Sequence, residues 1–332
     1  MAWEHLGLPD PTPVQYDIAD YIQSGPKRRC VMAFRGVGKS WITSAFVCHQ
    51  LLLDPTKNIL VVSASKQRAD DFSTFTLRLI AEMEILQHLK PGDNQRNSKI
   101  AFDVAPAPAS HAPSVTSKGI TSQITGSRAD LIIADDVESL NNSATQMMRD
   151  KLAMQVQEFD AVLKPSGHII YLGTPQTEQS LYNELPERGY DVRIWPARMP
   201  TEKQIAGYGK RLAPTIIEMD LEPSKAIDPQ RFNEFDLMER EASYGRSGFA
   251  LQFMLDTSLS DAERYPLKLS DLIIMRLDKE QAPEKVIWAG TPEYAYKDLP
   301  CVGFGGDRFY MPMGTSGEFM NYQGSVMSID PS

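Results

Sequence analysis

Over the first 196 residues, apolar side chains fall in short, nearly unbroken runs separated by longer amphipathic stretches. Residues 29–34 (RCVMAF), 58–65 (NILVVSAS), 129–134 (ADLIIA) and 168–172 (HIIYL) are apolar at consecutive positions, which predicts strands buried on both faces. Between them the spacing predicts helices over 14–23, 39–53, 66–89 and 143–163, the third from Phe72, Phe75, Leu79, Ile80, Met83 and Leu86. Breakers mark the boundaries: Gly25 with Pro26, Asp54 with Pro55, Pro91 with Gly92, and a Pro/Ala-rich linker over 104–114 that leads into a polar segment ending near Ser127. Strands that alternate with helices and lack a polar face imply an α/β domain whose parallel sheet is covered on both sides. Beyond Pro196 the pattern loosens. Residues 233–256 read as a helix broken at Gly245 and Gly248, and residues 289–325 are rich in Gly, Tyr, Phe and Met with weak periodicity.

Composition narrows the function classes. The chain has 332 residues, enough for about two domains, with 34 basic and 43 acidic side chains and a net charge of −9. Its apolar runs fall far short of the ~20 residues of a membrane span, and the N-terminus MAWEH has no basic region leading into an apolar one. Three cysteines (Cys30, Cys48, Cys301) and five scattered histidines give neither a disulfide framework nor a zinc-ligand spacing, so a reducing cytoplasm is the expected compartment. Residues 1–200 are near neutral (20 basic, 22 acidic), whereas residues 201–332 hold 14 basic and 21 acidic side chains. No basic footprint of a nucleic-acid binder stands out, so any DNA grip must come from local clusters such as Lys27, Arg28 and Arg29, or Lys66 and Arg68.

The candidate chemistry lies at the ends of the expected strands. Residues 33–40 (AFRGVGKS) fit the phosphate-loop template G-x-x-x-x-G-K-[ST], except that Ala33 replaces the first glycine. Gly36, Val37 and Gly38 would curl backbone N–H groups around an anion at the start of a helix, Lys39 would reach the β- and γ-phosphates, and Ser40 would offer a hydroxyl to Mg²⁺. The strand ending near Ala134 delivers Asp135 as the metal carboxylate and Asp136 to polarise the attacking water, with Glu138 as a rival for that role. Two acids at a strand end, with at least one strand between the two motifs, point to ATP hydrolysis. Residues 171–175 (YLGTP) end a further strand, where Thr174 would sense the γ-phosphate. Gln15, in PTPVQ, would read an adenine edge through its amide, although a helix start explains the prolines equally well. Arg128 would act as an arginine finger, in its own site or toward a neighbouring subunit.

These residues resemble a family. Residues 33–40 (AFRGVGKS), 59–69 (ILVVSASKQRA), 119–138 (GITSQITGSRADLIIADDVE), 171–177 (YLGTPQT) and 244–255 (YGRSGFALQFML) are similar, in this order, to the large terminase subunit of short-tailed double-stranded DNA phages. The resemblance implies a RecA-like P-loop ATPase of the ASCE type that binds ATP and Mg²⁺ and drives double-stranded DNA into a procapsid. The implied partners are the portal protein, the small terminase subunit and further copies in a homo-oligomeric ring, acting in the host cytoplasm. By position it makes Arg35 a loop arginine near the γ-phosphate, Lys39 and Ser40 nucleotide and Mg²⁺ ligands, Asp135 the metal carboxylate and Thr174 the coupling residue. Many members carry Glu where Asp136 stands, and the finger falls on either side of the glycine matching Gly126. Residues 325–330 (SVMSID) resemble the first strand of a terminase RNase H-like nuclease, with Asp330 as a metal ligand. The expected division is an ATPase core over 1–200, a lid and linker over 201–320 and the start of a nuclease over 321–332, so that this chain alone would not cut DNA. The alternatives are a helicase-like translocase, or an assembly protein switched by ATP without turnover.

Overall fold

The computed structural model describes residues 1–176, 179–257, 280–287, 292–295 and 310–321. The chain divides into two compact units, Met1–Ser260 and Asp261–Ser332. The first holds a seven-stranded sheet built from β1 (Arg28–Ala33), β2 (Ile59–Ser63), β3 (Ala101–Phe102), β4 (Val115–Gly119), β5 (Ala129–Asp135), β6 (Leu163–Gly173) and β7 (Asp191–Trp195). Their spatial order is β3-β4-β2-β5-β6-β1-β7, and every neighbouring pair is parallel except β3 with β4. Strands β1, β2 and β5 are buried almost throughout, as expected of inner strands covered on both faces.

Helices fill both faces, and their ends follow from the sequence. Pro13–Ser24 starts with a capping box in which the Thr12 hydroxyl accepts from Gln15 N and the Gln15 side chain accepts from Thr12 N. Lys39–Leu53 begins at left-handed Gly38. Lys66–Glu82 is capped by Ser65, and a 3₁₀ turn over Glu84–Leu89 then completes the stretch expected as one helix. Gln146–Val162 is capped by Thr145. Glu234–Phe249 kinks at Gly245, where φ is 69°, and runs into a π-helical turn over Ala250–Met254. Gly248 does not break it.

Three strands depart from expectation, the two-residue β3 together with β4 and β7. Strand β4 lies in the polar segment, and its alternating pattern hides it, because the buried Ser117 is satisfied by donating to Asp70 Oδ1 at 2.7 Å. Strand β7 is an edge strand whose apolar positions alternate with Asp191 and Arg193. Residues 196–257 pack within the same unit as the sheet. In the second unit, Gln281–Ile287 and Gly314–Asn321 form an antiparallel pair. Asp330 and the strand expected around it lie outside the described residues.

Candidate active site

Strand order brings the motifs together. Strand β6 lies between β5 and β1, with Asp135 paired to Leu172 and Met32 paired to Gly173. The loop after β1, the acids after β5 and Thr174 after β6 therefore leave the same edge of three adjacent strands, at their C-terminal ends, where open α/β sheets bind ligands. A cleft of about 710 Å³ opens there, lined among others by Arg35, Gly36, Lys39, Ser40, Asp136 and Thr174.

The loop is held in shape through its carbonyls. Gly36 and Gly38 take φ of 91° and 98°, a backbone region that other residues rarely enter. Lys39 Nζ donates to Ala33 O at 2.6 Å, Gln15 Nε2 to Val37 O at 2.7 Å and Arg231 Nε to Gly36 O at 3.0 Å. With these carbonyls engaged, the orphan N–H groups of the first turn of Lys39–Leu53 remain for an anion. Burial pulls the Lys39 pKa down, opposed by Asp136 and Asp135.

Ser40 Oγ donates to Asp135 Oδ2 at 3.3 Å, and Asp135 Oδ1 is buried without a partner among the described residues. Burial first, and then the charge of Asp136, push the Asp135 carboxyl up. A hydroxyl beside a buried, under-satisfied carboxylate suits a hard cation that takes oxygen ligands and keeps several waters. Asp136 stands at the turn with φ of 45°, fixed by donating its N–H to Leu172 O at 2.8 Å and by accepting from Ala64 N at 3.2 Å. Its carboxylate faces the cleft, 3.9 Å from Arg68 Nη1. Glu138, the rival for water activation, is 3% exposed and engaged by the chain. It accepts from Gln176 N at 3.1 Å, Ser180 Oγ at 2.9 Å and Leu181 N at 2.7 Å, and burial pushes its carboxyl up to about 7.

Gln15 lines a small cavity beside the cleft with Pro9, Asp10, Gly38, Trp41 and Arg231. Its amide already serves Thr12 N and Val37 O, which leaves one N–H and one oxygen lone pair free of those contacts. Arg128 is not brought to the cleft. It precedes β5 at the end opposite Asp135, some 20 Å away along the strand, and donates to Ser127 O and Ala161 O.

Of the basic residues named for DNA, Arg29 requires correction. Arg29 is 1% exposed and donates to the carbonyls of Ile22, Gly25 and Pro26, so it does not reach a DNA backbone. Arg28 pairs with Asp160, Lys66 with Asp70, and Arg68 with Asp136 inside the cleft. Sequence reasoning also missed Gln252 and Phe232. Gln252 O accepts from Arg35 N at 2.9 Å, and the Phe232 ring packs on Gly36 and edge-on to Phe34 at 5.9 Å. The only sequence signal for Gln252 was the family-like stretch 244–255; Phe232 had none.

Residues 30–180 match the family described as terminase large subunit, T4likevirus-type, N-terminal. Over 340 aligned residues, covering 99% of this chain, the sequence is 48% identical to the terminase large subunit of Enterobacteria phage T3. Over these residues the chain is similar to the large terminase subunits. It spans 58% of the length of the T3 relative. Among solved structures, the chain is similar to the large terminase ATPase domain of Thermus phage P74-26, at 17% identity over 77% of this chain and 96% of that one, with a TM-score of 0.48. The large terminase of bacteriophage HK97 matches at 12% identity over 74% of this chain and 50% of that one, with a TM-score of 0.43. No helix among the described residues is long and apolar enough to cross a membrane.

Proposed function

We propose that this chain is the ATP-hydrolysing part of a large terminase subunit, a motor that moves double-stranded DNA into a phage procapsid. The observation that carries the reading is the convergence of Lys39, of Ser40 with Asp135, and of Asp136 on one cleft, with β6 inserted between the two motif strands. In this reading Gly36, Val37, Gly38 and Lys39 cradle the phosphates of ATP, and Arg35 faces the γ-phosphate. Ser40 and Asp135 hold Mg²⁺, which supplies charge neutralisation for the phosphates when bound. Asp136 accepts a proton from the attacking water, a role supported by its open carboxylate, in contrast to the engaged one of Glu138. Thr174 reports phosphate loss to the rest of the chain, and the remaining edge of Gln15 meets adenine.

Arg128, far from its own cleft, acts on the cleft of a neighbouring copy in a homo-oligomeric ring docked on the portal protein, with the small terminase subunit and DNA as further partners in the host cytoplasm. Residues 1–200 are the ATPase core, 201–320 the lid and linker, and 321–332 the start of a nuclease in which Asp330 would bind metal. Steady-state ATPase of the full chain tests the reading, with and without double-stranded DNA and portal. Turnover that Lys39→Ala abolishes is expected. No turnover under any of these conditions, or turnover indifferent to Lys39→Ala, would overturn it, and the former would favour a nucleotide-switched assembly role.

A further inference from the structure

Glu138 sits two residues beyond Asp136 and is buried, and the hydrogen bonds it makes among the described residues run to the segment after β6. Its carboxylate accepts from the backbone N–H of Gln176 at 3.1 Å and of Leu181 at 2.7 Å, and from the hydroxyl of Ser180 at 2.9 Å. Its own backbone N–H donates to the Tyr182 hydroxyl at 3.3 Å. The Tyr182 ring lies directly over Gly173. A Cβ placed on Gly173 would come within 2.1 Å of Tyr182 Cζ, so only glycine fits between Leu172 and Thr174. Two links thus join the turn after β5 to the segment after β6, one through the Glu138 carboxylate and one through the Tyr182 phenol. Gln176 Nε2 adds a third tether inside that segment by donating to Thr174 O at 3.1 Å.

We propose that Glu138 is a positioning residue for the reaction: with Ser180 and Tyr182 it staples the turn carrying Asp136 to the loop carrying Thr174, so that the two stay in register. The proposal rests on the reading of the cleft as an ATPase site and deepens it. A carboxylate that satisfies three donors in a buried place is costly to strip of any of them, because an unmatched buried N–H or carboxyl oxygen loses its hydration without replacement. That makes the staple a fixed part rather than a reserve base for water. Substituting glutamine puts an amide N–H₂ where one donor now points, so Glu138→Gln breaks one side of the staple at nearly constant shape.

The test uses the full chain with Glu138→Gln, Ser180→Ala and Tyr182→Phe, chosen so that the two milder variants report on the staple if the first folds poorly. Two measurements are made on each: kcat and KM for ATP, and amide hydrogen exchange at Gln176 and Leu181. The expected result is that all three variants lower kcat at least tenfold with KM for ATP changed less than threefold, and that Glu138→Gln speeds exchange at one of the two amides at least tenfold. If Glu138 were instead the water-activating base, Glu138→Gln would abolish turnover while Ser180→Ala and Tyr182→Phe kept the wild-type kcat, and the proposal would fall. Unchanged exchange at both amides in Glu138→Gln would also overturn it. A wild-type chain that never hydrolyses ATP would instead remove the ATPase reading and the positioning role with it, while exchange at Gln176 and Leu181 would still report the tie itself.

Discussion

Gly36 is where the loop's backbone and the segment beyond residue 200 meet, and Gly36→Ala separates the two. At φ of 91° an L-residue is strained by about 1–3 kcal/mol. The new Cβ would also lie 2.7 Å from Phe232 Cζ and 3.0 Å from Phe232 Cε2, closer than carbon atoms pack, and overpacking of this kind costs about 1–3 kcal/mol. Phe232 has little room to retreat, because its ring is held edge-on to Phe34 and lies under the Arg240 guanidinium at 4.3 Å. Together the two effects predict a loss of roughly 2–6 kcal/mol, read as a fall in the urea midpoint of about 0.7–2 M if the slope is ~3 kcal/mol/M. Because the Arg231 contact to Gly36 O sits on the same peptide, affinity for ATP falls as well. Phe232→Ala relieves the clash but leaves the backbone strain. In a double-mutant cycle Gly36→Ala should therefore cost about 1–3 kcal/mol less in the Phe232→Ala background than in the wild type. Additivity within about 0.5 kcal/mol would refute the packing of Phe232 on the loop.

Three further outcomes are expected. Asp136→Asn should lower kcat by at least about a hundredfold while fluorescent-nucleotide titration shows ATP binding retained; a kcat within a few-fold of wild type would remove Asp136 from the water-activating role. Arg68→Ala should change stability by under about 1 kcal/mol, since its pair with Asp136 is largely exposed, yet lower turnover more than tenfold; an unchanged kcat would make it a surface arginine. The Glu138 carboxyl, pushed up to about 7 by burial, binds a proton more tightly folded than unfolded, where ~4.3 applies. Its contribution is therefore fully present below about pH 4 and is lost as pH rises through 7, so urea-derived stability should fall over that range and fall less steeply in Glu138→Gln. Equal slopes for the two proteins would contradict the assignment.

What was legible in the sequence was what the chain encodes locally. Unbroken apolar runs placed β1, β2 and β5, and the glycine spacing of 33–40 placed the loop between strand and helix. Strand β4 escaped because its buried polar residue is satisfied by Asp70, 47 positions away, a pairing that no local pattern carries. The site was legible to the same extent. Lys39, Ser40, Asp135, Asp136 and Thr174 were named because each lies at or just after a recognisable strand end, whereas Arg231, Phe232 and Gln252, which arrive from beyond residue 200, were not. Arg68 follows β2, and only the strand order, which sets β2 beside β5, brings it to Asp136.

The same separation explains why the loop tolerates Ala33 where the template has glycine. A first glycine is needed where the chain must turn tightly or let a ligand approach, but Ala33 is the last residue of β1, in register with Trp195 on β7 and fully buried. Its Cβ belongs to the core, and its carbonyl is the acceptor for Lys39 Nζ. The left-handed turns fall instead at Gly36 and Gly38, nearer the helix. The loop's shape is then fixed from outside, by Gln15 from the N-terminal helix and by Arg231, Phe232 and Gln252 from beyond residue 200. Movement of that later segment would shift the Arg35 and Gly36 peptides directly, because Gln252 O holds the N–H of one and Arg231 the carbonyl of the other. Coupling between the loop and the later segment therefore requires no intermediary: one backbone–backbone hydrogen bond and one from the Arg231 side chain to the loop backbone already span it.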